Sequence, residues 1–168
     1  MARQLATPLH GVVYSQVLTS PRLRARATCE LAGLAGAGRT APQIDAHLAE
    51  WDYGDYEGLR TAEIRQLQPD WDIWEHGCPH GELPADIGRR ADQIIDRLLG
   101  LNGKVALFSH GHFGRVLAAR WIGLPVREGQ HFAIDPASIG ILGFEIDHPH
   151  RRIISLWNAT TSDAARLW

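Results

Sequence analysis

The sequence predicts an α/β fold in three layers: a mostly parallel sheet, helices on both of its faces, and an antiparallel hairpin at the C-terminal edge. Three observations point there. β-Branched runs alternate with amphipathic runs along the chain. Residues 104–108 (KVALF) are short and apolar, which suits a parallel-sheet strand buried on both faces. Residues 138–146 and 151–157 flank Asp147-His148-Pro149-His150 and read as two strands of a hairpin. At 168 residues, 45% hydrophobic and 21% charged, the chain fits one domain over residues 1–168.

The elements follow in order. Leu5 and Leu9 have the spacing of a helix tail, yet Met1 precedes them with neither a cap nor a strand. The expectation is a domain that lacks its first βα unit. Residues 11–19 (GVVYSQVLT) form a strand. Ser20 then caps a helix with Pro21 at its first position, and Leu23, Ala27, Leu31 and Leu34 supply the apolar face. Gly36 and Gly38 end it. Residues 39–60 are mostly irregular. Thr61 caps a short helix to about Gln68, which Pro69 stops. Pro84 opens a longer helix with the stripe Ile87, Ala91, Ile94, Ile95, Leu98 and Leu99, closed by Gly100. A last helix, 112–122, turns Phe113, Val116, Leu117 and Trp121 to one side.

Composition excludes several roles. A net charge of −2 argues against nucleic-acid binding by bulk electrostatics. No apolar run approaches the ~18 residues of a membrane span. Two cysteines, Cys29 and Cys78, without a CxxC point to a reduced, cytoplasmic setting. Nine histidines, and sixteen arginines beside the single lysine Lys104, are the unusual features.

Four segments hold candidate chemistry. Ser109-His110-Gly111-His112-Phe113 lies where a strand turns into a helix. There backbone N–H groups and the helix dipole favour an anion, and ligands of open α/β sheets bind at such strand ends. An imidazole at that junction can bond a phosphate oxygen or move a proton. Ser20-Pro21-Arg22-Leu23-Arg24-Ala25-Arg26 sets three cations at a helix start, where the dipole disfavours them unless an anion joins. Arg24 is the best candidate for a bidentate phosphate contact, with Arg22 and Arg26 facing solvent. Glu50-Trp51-Asp52-Tyr53-Gly54-Asp55-Tyr56-Glu57-Gly58 mixes carboxylates with aromatics, a setting that suits a general acid. His76-Gly77-Cys78-Pro79-His80, with His110 and His112, leaves a zinc site open, although no HExxH or paired CxxC supports it.

Taken in this order and spacing, these segments, with Gly77-Cys78-Pro79-His80-Gly81-Glu82 and Asp135-Pro136-Ala137-Ser138-Ile139, resemble the histidine phosphatase superfamily, the phosphoglycerate-mutase-like fold. The similarity runs over about residues 5–158. The short interval between Glu57 and Gly77 resembles its acid phosphatase branch. The resemblance implies phosphomonoester hydrolysis through a phosphohistidine, with no metal or other cofactor. It implies Arg24, His110 and Gly111 as phosphate-binding, His110 also as catalytic, and Glu50 as the acid that protonates the leaving alcohol. Trp51, Tyr53, Trp74 and His76 are expected to line the substrate pocket. The expected partner is a small-molecule phosphomonoester, and the edge hairpin leaves a homodimer open.

The chain also departs from the family. The nucleophilic histidine belongs to an Arg-His-Gly motif, and no such tripeptide occurs here. Leu9-His10-Gly11 is the nearest imitation, and it lacks the arginine. Leu83 stands where the family commonly has serine. The expectation is therefore a chain that is inactive as it stands and marginally stable or aggregation-prone, because a missing central strand leaves two unpaired ladders. A non-catalytic phosphate-binding homologue and a zinc hydrolase are the alternatives.

Overall fold

The computed structural model describes residues 1–9, 11–35 and 41–160. Its centre is a parallel sheet in which β1 (Tyr14–Thr19) lies between β2 (Gln43–Ile44) and β3 (Lys104–Phe108). Leu18 and Thr19 pair with Leu107 and Phe108 on one side and with Gln43 and Ile44 on the other. The pairing continues past the strands: Ser20 N–H donates to the Phe108 carbonyl and Asp45 N–H to the Thr19 carbonyl, each at 2.9 Å. The carboxyl ends of β1 and β3 are thereby held level.

The strand β1 starts later than 11–19 because Val13 is exposed before it. β3 is also less covered than its composition predicts. Phe108 is buried, residues 105–107 are half-buried and Lys104 is exposed. β3 pairs with β1 along one edge, and among the described residues no strand pairs with its other edge. An edge strand is covered from fewer directions than a central one. The antiparallel hairpin of β4 (Ile139–Glu145) and β5 (His148–Ala159) forms a separate two-stranded sheet. Its turn is Ile146-Asp147, so His148, Pro149 and His150 belong to β5 and not to the connection.

The chain begins with a 3₁₀ turn, Ala2–Leu5, running into α1 (Ala6–Leu9), and Leu5 packs with Val17, Cys29 and Phe108. α2 (Leu23–Leu31) corrects two expectations. Its N-cap is Arg22, so Ser20 and Pro21 both precede the helix. Its inner face is Ala25 and Cys29, while Leu23 and Leu31 are exposed. Small side chains at that i, i+4 pair allow the helix to pack closely on β1. Gly33, at φ +73°, takes the left-handed position that ends the helix, and Leu34 N–H donates to the Cys29 carbonyl. Gly36 and Gly38 lie outside the described residues.

α3 (Thr61–Leu67) starts at Thr61 and is capped by Arg60, whose N–H donates to Glu63 Oε2 at 2.7 Å. α4 (Ile73–His76) is one turn, with Asp72 accepting from Trp74 N–H. α5 (Pro84–Leu99) buries Ile87, Ala91, Ile94 and Ile95 as predicted, with Leu99 exposed at its end. α6 (Gly111–Trp121) buries Phe113, Val116, Leu117 and Trp121 against it, and Trp51, Trp71 and Trp74 complete this core.

One α5 residue escapes a reading of the apolar stripe. Arg90 forks onto Glu82 (2.8 and 2.7 Å) and donates to the His47 and Ala49 carbonyls at 2.7 Å each. Its guanidinium lies 4.7 Å from the Phe113 ring centre. Breaking such a shielded pair leaves Glu82 uncompensated, so Arg90→Ala is expected to cost about 3 kcal/mol. A urea midpoint unchanged by the substitution would contradict this.

Candidate active site

The level ends of β1 and β3 bring Arg24, His110 and Glu50 together. His110 is the N-cap of α6 and is 9% exposed. Its Nδ1 accepts from Arg24 Nε at 2.9 Å, and its Nε2 lies 2.7 Å from Ser20 Oγ. Burial, then the adjacent Arg24 cation, pushes the imidazole down from 6.5 to about 4. Arg22 and Arg90 act in the same sense, and the Glu50 carboxylate opposes them. Arg22, Arg24 and Arg26 are all exposed at residue level.

Glu50 is placed by main-chain donors. Oε1 accepts from Trp51 N–H (3.0 Å) and Phe113 N–H (2.9 Å), and Oε2 accepts from His112 N–H (3.3 Å). The α6 N-terminus, read in the sequence as a set of free N–H groups, thus gives two of its first three to Glu50. Gly111 is packed so that a Cβ there would lie 3.9 Å from Glu50 Oε2. Ser109 Oγ donates to the Leu48 carbonyl at 2.7 Å, tying the end of β3 to the segment before Glu50.

Aromatic residues stand beside Glu50. The Tyr53 hydroxyl is 2.8 Å from His112 Nδ1. Burial, then the Glu50 charge, raises the Tyr53 phenol, so it keeps its proton. Burial lowers the His112 imidazole. The His112 ring packs against Trp51, Tyr53 and Trp74, and the Arg115 guanidinium lies 4.6 Å from the Trp74 ring centre. A cavity of about 420 Å³ opens here, lined by Tyr53, Tyr56, Trp71, Trp74 and His112, with Arg65 at its wall.

Of the residues expected to line a substrate pocket, Tyr53 and Trp74 lie on the wall of this cavity. Trp51 is buried beneath them, 1% exposed, with its indole N–H donated to the Glu82 carbonyl. His76 is not among the lining residues; its Nδ1 accepts from Asp72 N–H. Cys78 is buried with its thiol pushed up to about 11 by burial. Among the described residues no group of three or more His, Cys, Asp or Glu is arranged to hold a metal ion. His10 lies outside the described residues. The sequence missed the pairing of Ser20 with His110 and of Tyr53 with His112, because residues 90 and 59 positions apart leave no local signal. Arg90 did leave one: a cation beside Ile87 and Ala91 on the stripe of α5.

The depressed imidazole has a consequence for stability. An unfolded chain takes up a proton on histidine near 6.5, and folded His110 resists it until about 4. Stability is therefore full above 6.5 and falls as pH drops toward 4, by up to ~1.4 kcal/mol per pH unit from this group. His112 adds in the same direction. Urea unfolding between neutral pH and pH 4 checks this, with His110→Gln expected to flatten the slope. Equal slopes in both proteins would contradict it.

Parallel-sheet domains with cations and a carboxylate gathered at the strand ends form a class suited to binding phosphate esters. The family model of the histidine phosphatase superfamily (branch 1) matches residues 1–160, and the chain belongs to that family. It is 49% identical over 131 residues to an acid phosphatase of Mycobacterium tuberculosis, covering 77% of this chain and 62% of that protein. It is 38% identical over 133 residues to a sedoheptulose 1,7-bisphosphatase of Saccharomyces cerevisiae, covering 67% of this chain and 49% of that protein. The chain thus spans less than two thirds of the length of either. The solved structure of an open-reading-frame product of Mycobacterium tuberculosis superposes with a TM-score of 0.83 at 41% identity, over 95% of this chain and 81% of that one.

Proposed function

We propose that the protein hydrolyses small phosphomonoesters, with Arg24 and His110 holding the phosphoryl group and Glu50 serving the leaving group. The observation that carries this is the direct Arg24–His110 contact at the strand ends, next to a carboxylate fixed by three main-chain donors. Arg24, His110 and the Gly111 N–H stabilise charge spread over the phosphoryl oxygens. A histidine nitrogen attacks phosphorus as the P–O bond to the alcohol breaks, and Glu50 gives the alcohol a proton. Water then attacks phosphorus, the N–P bond breaks, and Glu50 regains a proton. The family resemblance places the attacking histidine in an Arg-His-Gly motif, which this chain does not contain, so the 168-residue chain is expected to bind phosphate esters and turnover to need that motif. The cavity of Tyr53, Trp74 and His112 takes the leaving group and favours bulky or apolar alcohols.

Phosphate release from a generic phosphomonoester is the test, measured on the 168-residue chain and on a form extended at its N-terminus by a strand ending in Arg-His-Gly. The extended form is expected to exceed this chain by about a thousandfold or more, since loss of a nucleophile removes most turnover. Equal activity in the two would overturn the assignment of the nucleophile. Phosphate binding by both without turnover would favour the non-catalytic phosphate-binding reading.

A further inference from the structure

We propose that Ser20 is a positioning residue that fixes the tautomer and orientation of His110. The proposal rests on the phosphatase reading of this site. Ser20 looks like a helix cap in sequence, but the helix begins at Leu23 and its cap is Arg22. The Ser20 hydroxyl points elsewhere: Oγ is 2.7 Å from His110 Nε2, and the residue is 0% exposed.

Hydrogen-bond chemistry fixes the proton. A guanidinium only donates, so Arg24 Nε, 2.9 Å from His110 Nδ1, requires a lone pair on Nδ1. The neutral ring then carries its hydrogen on Nε2, and Ser20 Oγ is the acceptor for it. The hydroxyl is itself held in place. Ser20 N–H is bonded to the Phe108 carbonyl of β3 at 2.9 Å, and Arg22 N–H donates to Oγ at 3.2 Å. Moving the proton to Nδ1 would set a donor against Arg24, and a half-turn of the ring would set the carbons Cδ2 and Cε1 where the two nitrogens now meet Arg24 and Ser20. Ser20 and Arg24 therefore hold the ring from both ends. When an anion draws the Arg24 guanidinium to itself, Nδ1 is the nitrogen left to take a proton from solvent and donate to that anion.

The experiment uses the 168-residue chain labelled with 15N at histidine, read by long-range proton–nitrogen correlation at neutral pH, with inorganic phosphate as the probe ligand. The expected result is an Nε2–H tautomer for His110 with a protected ring proton, retained in Ser20→Thr. In Ser20→Ala the ring proton should exchange too fast to observe, and phosphate affinity should fall about tenfold, as for loss of one well-placed hydrogen bond. A destabilised fold alone would shift the melting point without changing the His110 nitrogen shifts. An Nδ1–H tautomer in the unsubstituted protein, or unchanged His110 signals and affinity in Ser20→Ala, would overturn the proposal. Should Ser20→Ala fail to fold, the tautomer of the unsubstituted protein and the Ser20→Thr spectrum decide. The expected tautomer without phosphate binding would remove the phosphatase reading and leave the hold of Ser20 on His110 standing.

Discussion

Replacing His110 with alanine is expected to lower phosphomonoester turnover by two to three orders of magnitude in the extended protein. Removing one preorganised donor aimed at developing charge typically raises a barrier by about 2.7–4 kcal/mol. His110 sits between Arg24 and Ser20, so its loss also frees the guanidinium that it orients. The same substitution in the 168-residue chain should weaken inorganic phosphate binding by at least about tenfold, measured calorimetrically. Turnover kept within threefold of the unsubstituted enzyme would remove His110 from the reaction.

Replacing Glu50 with glutamine is expected to cost about a hundredfold or more, the usual worth of a placed acid. The substitution is chosen for its geometry. A carboxamide oxygen can still accept from Trp51 and Phe113, whereas alanine would also strip the start of α6 of its cap. The diagnostic result is a dependence on the leaving group. Aryl phosphates, whose phenolate leaves without a proton, should lose far less rate than alkyl phosphates. A uniform loss across both series would show that Glu50 organises the helix end and does not protonate the alcohol.

Much of this arrangement is legible in the sequence because it depends on short-range patterns. The stripe Ile87, Ala91, Ile94, Ile95 predicts the inner face of α5, and Phe113, Val116, Leu117, Trp121 that of α6. His110 stands out because it follows a strand end that turns into a helix, whereas Glu50 is picked from the carboxylates of its acid–aromatic cluster only by the family resemblance. The face of α2 is not legible, because leucines at 23 and 31 outweigh an alanine and a cysteine on any hydrophobicity count, yet small side chains are the ones packed against β1. The exposure of β3 was also unreadable, since burial depends on which strands lie beside it and not on its own five residues. The roles of Ser20 and Tyr53 arise from contacts between distant segments, which no local pattern records.

The separation of β4 and β5 from the parallel sheet has a dynamic consequence. A two-stranded ribbon is marginal by itself and borrows its stability from whatever it rests on. Here the support includes Trp121 of α6, whose indole N–H is shared between the Gly143 and Ile153 carbonyls at 3.2 and 3.1 Å and whose ring meets Phe144. Trp121 thus ties the ribbon to a helix whose opposite end carries His110. Native-state hydrogen exchange should show its amides opening together at a lower free energy than those of α5 and α6. Trp121→Phe should widen that difference, and uniform protection across the two regions would show that the ribbon and the core open as one.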